Sequence, residues 1–183
     1  SSLSLDPSMI APQDIVECMV TSADGYGGTA TDSVSITVGN VVPVIDSSTL
    51  TPTEPNVSDV LLCEATASDL EDSGPSLSFS FSNLSTGVSY AASSTTTASA
   101  SLDLSGISVN AGEEIECEIV ATDLHFGTAI SSETVTIINT APVVSNILIT
   151  PNIGIEDGTD LMCSATAIDY NDGDLTSQIS YEW

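Results

Sequence analysis

SLSLDPSMIAPQDIVECMVTSADGYGGTA, from Ser2 to Ala30, matches SLDLSGISVNAGEEIECEIVATDLHFGTA, from Ser101 to Ala129, and this self-similarity decides the fold. The match runs on through VSITVGNVVPVIDSSTLTP, Val34 to Pro52, against TVTIINTAPVVSNILITP, which ends at Pro151. It then continues through LLCEATASDLED against LMCSATAIDYND. The offset is 99 to 100 residues, so Cys18 corresponds to Cys117 and Cys63 to Cys163. Asn40 to Pro43 and Asn139 to Pro142 read as short linkers, because proline breaks a central strand and stiffens a junction. Residues 41–139 are therefore one complete repeat, 1–40 the second half of another, and 140–183 the first half of a third.

Within each repeat the apolar residues alternate with period two, as in Val34, Ile36, Val38 and in Ile115, Cys117, Ile119, with Gly, Asn, Asp and Ser between the runs. That pattern predicts short strands in an antiparallel sandwich. No window holds helical i, i+3, i+4 spacing over ten residues, so helices are expected to be absent or single turns. The composition agrees: aromatics are 4% and hydrophobic residues 41%, with Ser, Thr, Val and Ile prominent. Alternating apolar runs able to bury a core argue against disorder.

There is no Lys or Arg against 26 Asp plus Glu, a formal charge of -26. Phosphate binding needs cationic side chains, so nucleic acid is excluded as a partner, and an anionic membrane surface with it. Salt at sea-water strength shortens the screening length to roughly 4 Å and would relieve the self-repulsion. A saline habitat and plain solubility outside the cell both account for the acidity. No run of 18 apolar residues is present, and SSLSLDPS carries no basic region, so neither a membrane span nor a signal peptide is expected in these residues. The lack of Lys and Arg also removes every trypsin-type cleavage site, which suits exposure outside the cell.

The run CSATAIDYNDGDLTSQISYEW, with Cys163 twenty residues before Trp183, and the NTAPVV junction resemble the tandem immunoglobulin-like, PKD-like or cadherin-like repeats of large bacterial and archaeal surface proteins. The resemblance covers the whole chain and implies an all-β fold of tandem immunoglobulin-like antiparallel β-sandwiches, one complete domain flanked by two half-domains. It also implies a disulfide between strands B and F, which Cys63 and Cys117 fit. Cys18 and Cys163 then have no partner in their own unit. They are expected to pair between neighbouring copies of the chain, or between adjacent repeats of a longer one, head to tail. In either case the counterparts of Leu84 to Ser99 are missing between Trp183 and the Ser1 of a following unit. In the complete repeat Asn83 stands where Trp183 falls in the next, so the core Trp is absent there, and Phe79 and Phe81 are expected to fill part of its volume.

Asp169, Asn171, Asp172 and Asp174 place four oxygen-bearing side chains around Gly173, a density that suits Ca²⁺. Their counterparts Asp69, Glu71 and Asp72, and the turn residues Asp24 and Asp123, resemble the acidic junctions at which cadherin-like repeats bind Ca²⁺. The EF-hand pattern lacks its distal Glu, and Asp, Asn and Gly are equally ordinary turn residues. No other cofactor is required. Four cysteines without a Cys-x-x-Cys spacing argue against zinc. Asn56-Val-Ser58 and Asn83-Leu-Ser85 fit the N-glycosylation pattern, and Ser93 to Thr97 suits O-linked sugars. His125 is the sole histidine, and Tyr26 replaces it in the matching turn, so no catalytic set is expected. The resulting expectation is an extracellular structural repeat protein of a cell-surface filament, stalk or sheath. The alternatives are a spacer or binding repeat of a giant cell-adhesion protein, or an accessory module of a secreted hydrolase.

Overall fold

A computed structural model describes residues 2–6, 8–71, 73–92, 94–95 and 98–183. Among them the chain is all-β, in several antiparallel sheets. The strands are β1 (Ile15–Ala23), β2 (Thr29–Thr37), β3 (Val44–Thr51), β4 (Val60–Ser68), β5 (Ser76–Asn83), β6 (Val88–Tyr90), β7 (Ser94–Thr95), β8 (Ser99–Asp103), β9 (Glu114–Thr122), β10 (Thr128–Thr136), β11 (Val143–Thr150), β12 (Met162–Asp169) and β13 (Gly173–Asp174). Two single 3-10 turns, Leu104–Gly106 and Thr176–Gln178, are the described helical elements, as the missing helical periodicity predicts.

The central unit is a sandwich of two four-stranded sheets, ordered β10-β9-β5-β6 and β3-β4-β8-β7. Alternation explains which faces meet. On β4, Leu61, Cys63 and Ala65 are buried while Leu62 and Glu64 are exposed; on β9, Ile115, Cys117, Ile119 and Ala121 are buried while Glu114 and Glu118 face water. A one-residue slip of β9 would send Glu114, Glu116 and Glu118 into the core, so the register is strongly determined. Cys63 and Cys117 join the middle of one sheet to the middle of the other, with 6.5 Å between their Cα atoms. Around the bridge pack Leu61, Phe81, Leu102, Leu104, Ile115 and Ile119, each contributing about 1.5–3 kcal/mol of transfer energy. The Asp103 carboxylate accepts from Ser105 N (3.0 Å), capping the first 3-10 turn and holding Leu104 in the core.

Of the two residues expected to take up part of the missing Trp's volume, Phe81 is buried directly opposite Cys117, and the half-buried Phe79 packs against the same core. Asn83 is fully buried at the end of β5. Its amide nitrogen donates to Glu113 Oε2 (2.7 Å), and its oxygen accepts from Ser85 N and Thr86 N (3.0 and 3.1 Å).

The flanking units repeat the same strands without their partners. β1 and β2 form a two-stranded ribbon in the register of β9 and β10, with Cys18 opposite Val34. β11 pairs with β12 as β3 pairs with β4, placing Ile149 opposite Cys163 as Leu50 is opposite Cys63. Among the described residues no strand of one unit pairs with a strand of another. Trp183 is 76% exposed and residues 179–183 form no strand, whereas their counterparts belong to β5. The physical reason is topological: β5 is held by β9, and among the described residues no strand pairs with residues 179–183.

Candidate interaction site

The core positions of the central sandwich become surface in the flanking units. Leu102 and Leu104, both 1% exposed, correspond to Leu3 and Leu5 at 73% and 49%. Ile119 and Leu61, both 0% exposed, correspond to Val20 at 63% and Leu161 at 40%. A bare two-stranded ribbon is marginal in water, and contiguous apolar faces of this kind mark contact surfaces. The open face of β1 and β2 carries Cys18, exposed and unbridged; that of β11 and β12 carries Cys163, half-buried and unbridged. The two faces correspond in sequence to opposite faces of the central sandwich's interior, and they lie in the first and last units of the chain.

At the entrance to the central sandwich, two turns clasp the linker. The Asp123 carboxylate closes the β9–β10 turn by accepting from His125 N and Gly127 N, both 2.8 Å. Its second oxygen accepts from the Asn40 carboxamide at 2.8 Å. The next residue, Val41, donates its backbone N–H to Glu71 Oε2 in the β4–β5 turn (2.8 Å). Gly127 makes room for this contact, since a Cβ there would lie within 2.6 Å of Asn40 Nδ2 and closer still to Asp123 Oδ2. In a chain with no Lys or Arg, such amide donors are what hold its carboxylates. From the sequence, Asn40 is a linker residue and nothing more. The available signal is that Asn opens both linkers, at 40 and 139.

The Asn40 amide and, secondarily, the turn's N–H groups hold the Asp123 carboxyl below the usual carboxylate range; the amides of Asn110 and Asn83 do the same for Glu113. A depressed folded pKa stabilises the fold above the unfolded value, roughly 4, and that support is lost as pH falls through the folded value. Protonation of the remaining carboxylates acts the other way at first, by relieving repulsion. We therefore expect the urea midpoint, followed in low salt, to rise from pH 7 toward about 5 and to fall below about 4. A midpoint still rising at pH 3 would show that these bonds add nothing.

Of the residues expected to hold Ca²⁺, three use one side-chain oxygen each in local hydrogen bonds. Asp169 Oδ1 accepts from Asn171 N and Asp172 N (2.7 and 3.2 Å), Asn171 Oδ1 accepts from Thr140 N and Oγ1 (2.9 and 2.6 Å), and Asp174 Oδ1 accepts from Thr176 N (2.9 Å). Asp172 is exposed. Among the described residues no group of three or more His, Cys, Asp or Glu is placed for a metal, and Asp72 lies outside the described residues. Asp169 Oδ2 and Asn171 Nδ2 are buried with no partner among the described residues.

The glycosylation reading needs one correction. A glycan on Asn83 is incompatible with an amide that is fully buried and bonded to Glu113. Asn56 is half-buried and its amide donates to Asp59 Oδ2 at 2.7 Å. The Ser93 to Thr97 side chains lie outside the described residues. No helix among the described residues is long and apolar enough to cross a membrane.

No protein-family model matches the chain, and no curated protein is significantly similar to it.

Proposed function

We propose that the chain is a non-catalytic, extracellular structural module. In this reading immunoglobulin-like sandwiches stack head to tail, each stapled by a disulfide, into a surface filament, stalk or sheath. One observation carries the reading: the residues buried in the central sandwich are exposed, in complementary sets, at the two ends. Residues 140–183 of one unit and 1–40 of the next supply the counterparts of β3, β4, β5, β8, β9 and β10. What the pair lacks falls on β6 and β7, the outer strands of the two sheets, so the interior would close without them. The Cys63–Cys117 bridge suits an oxidising compartment.

Oxidative refolding at high concentration tests this. Non-reducing electrophoresis is expected to give a ladder spaced by 18.7 kDa, with a Cys18–Cys163 peptide in its digest. Cys18→Ser should abolish the ladder and leave the Cys63–Cys117 peptide. A chain that stays monomeric with both thiols free would sink the reading and favour a spacer within an adhesive protein.

A further inference from the structure

Resting on that reading, we infer that the head-to-tail joint is latched by a hydrogen bond between Asp24 of one copy and Asn139 of the copy before it. The central sandwich shows the bond already made, as Asn40 Nδ2 to Asp123 Oδ2 at 2.8 Å. By the internal offset, Asn40 corresponds to Asn139 and Asp123 to Asp24.

Both halves of the latch are built. Asp24 Oδ1 accepts from Tyr26 N (2.8 Å) and Gly28 N (2.7 Å), the cage that Asp123 makes with His125 and Gly127. Gly28 leaves space beside the second oxygen, since a Cβ there would sit 2.7 Å from Asp24 Oδ2. At the other end, Thr140 is already tied to Asn171 as Val41 is tied to Glu71. Asn139, with no counterpart of the Asp123 turn in the unit that follows it, donates to the carbonyl of Thr140 (2.9 Å).

The neighbouring turn of the third unit also holds buried polar atoms. Asp169 is 4% exposed, and its Oδ2 is buried without a partner among the described residues, as is Asn171 Nδ2 beside it. They lie in the turn that, in the central sandwich, clasps the linker together with the Asp123 turn. The occupant is a second copy of this chain. Carboxylate against carboxamide is also the pairing that a chain without cationic side chains has available.

The test uses the full chain carrying Cys18→Ser and Cys163→Ser, so that association is reversible, with sedimentation equilibrium as the readout. Asn139→Asp sets two carboxylates against each other and is expected to weaken association roughly tenfold or more. Adding Asp24→Asn restores the pairing with donor and acceptor exchanged, because the carboxamide introduced there keeps an oxygen for the turn. Affinity should then recover to within about threefold. Unchanged affinity in Asn139→Asp, or no recovery in the exchanged pair, overturns the latch. If the cysteine-bearing chain forms the Cys18–Cys163 ladder while these variants behave as their parent, the latch alone fails. Absence of both ladder and association overturns the structural reading and the latch with it.

Discussion

Reducing the Cys63–Cys117 bridge lowers the stability of the central sandwich by about 4 kcal/mol, the largest effect expected of any single bond in the chain. The bridge closes a loop of sequence separation 54, and cross-linking of that span removes a corresponding entropy from the unfolded chain. A domain of this size is ordinarily stable by about 5–15 kcal/mol, so the loss takes a large share. Urea unfolding of the Cys18→Ser, Cys163→Ser chain, with and without reductant, measures it directly. The midpoint should drop and the slope steepen, because the reduced unfolded chain is more open. An unchanged midpoint would mean that the bridge is an ornament on a core already sufficient without it.

Phe81→Ala is expected to cost about 3–5 kcal/mol, the range for deleting an aromatic side chain from a filled interior. Phe81 is 1% exposed and lies in register with Cys117, between the two sheets. With aromatics at 4% of the chain, few rings are at hand to slide into the space. Phe79→Ala, at a half-buried position on the same face, should cost less than half as much. Equilibrium unfolding of the two variants side by side checks both. Equal losses would place the core's weight nearer the sheet edge than its burial implies.

Much of the fold is legible in the sequence because its signals are local or few. Alternation in Ile115, Cys117 and Ile119 reports a strand face without knowledge of its partner. The resemblance to immunoglobulin-like repeats implies a bridge between strands B and F, and Cys63 with Cys117 forms one. The junction is harder. Asn40 and Asp123 are separated by 83 positions, and nothing in either residue type announces a bond between them. The Asn83 motif misleads for a related reason: a three-residue pattern carries no information on burial, and this Asn serves as an internal donor rather than a surface acceptor for sugar. The distance of Trp183 from Cys163 suggests a core residue. It stands exposed because a strand folds onto its sheet only when the strand it pairs with is present. The acidic turn around Asp169 is ambiguous in sequence, since turn closure and cation binding call for the same residues. In the structure the backbone N–H groups of Asn171 and Asp172 show the Asp169 carboxylate closing the turn.

The position of the bridge also sets how such a unit would answer a pull along the array. Tension entering at Asn40 and leaving at Asn139 reaches Cys63 and Cys117 before it reaches anything between them. The strands outside the bridge can be drawn out, about 44 residues or roughly 150 Å of chain, while β5 to β8 and the loops that join them bear no load. Without the bridge the same unit would unravel over its whole length, roughly 340 Å. Each repeat is thus a short tether with a fixed stop, and a string of them would stretch by a limited, regular increment and keep half of every domain's fold as a template for its recoil.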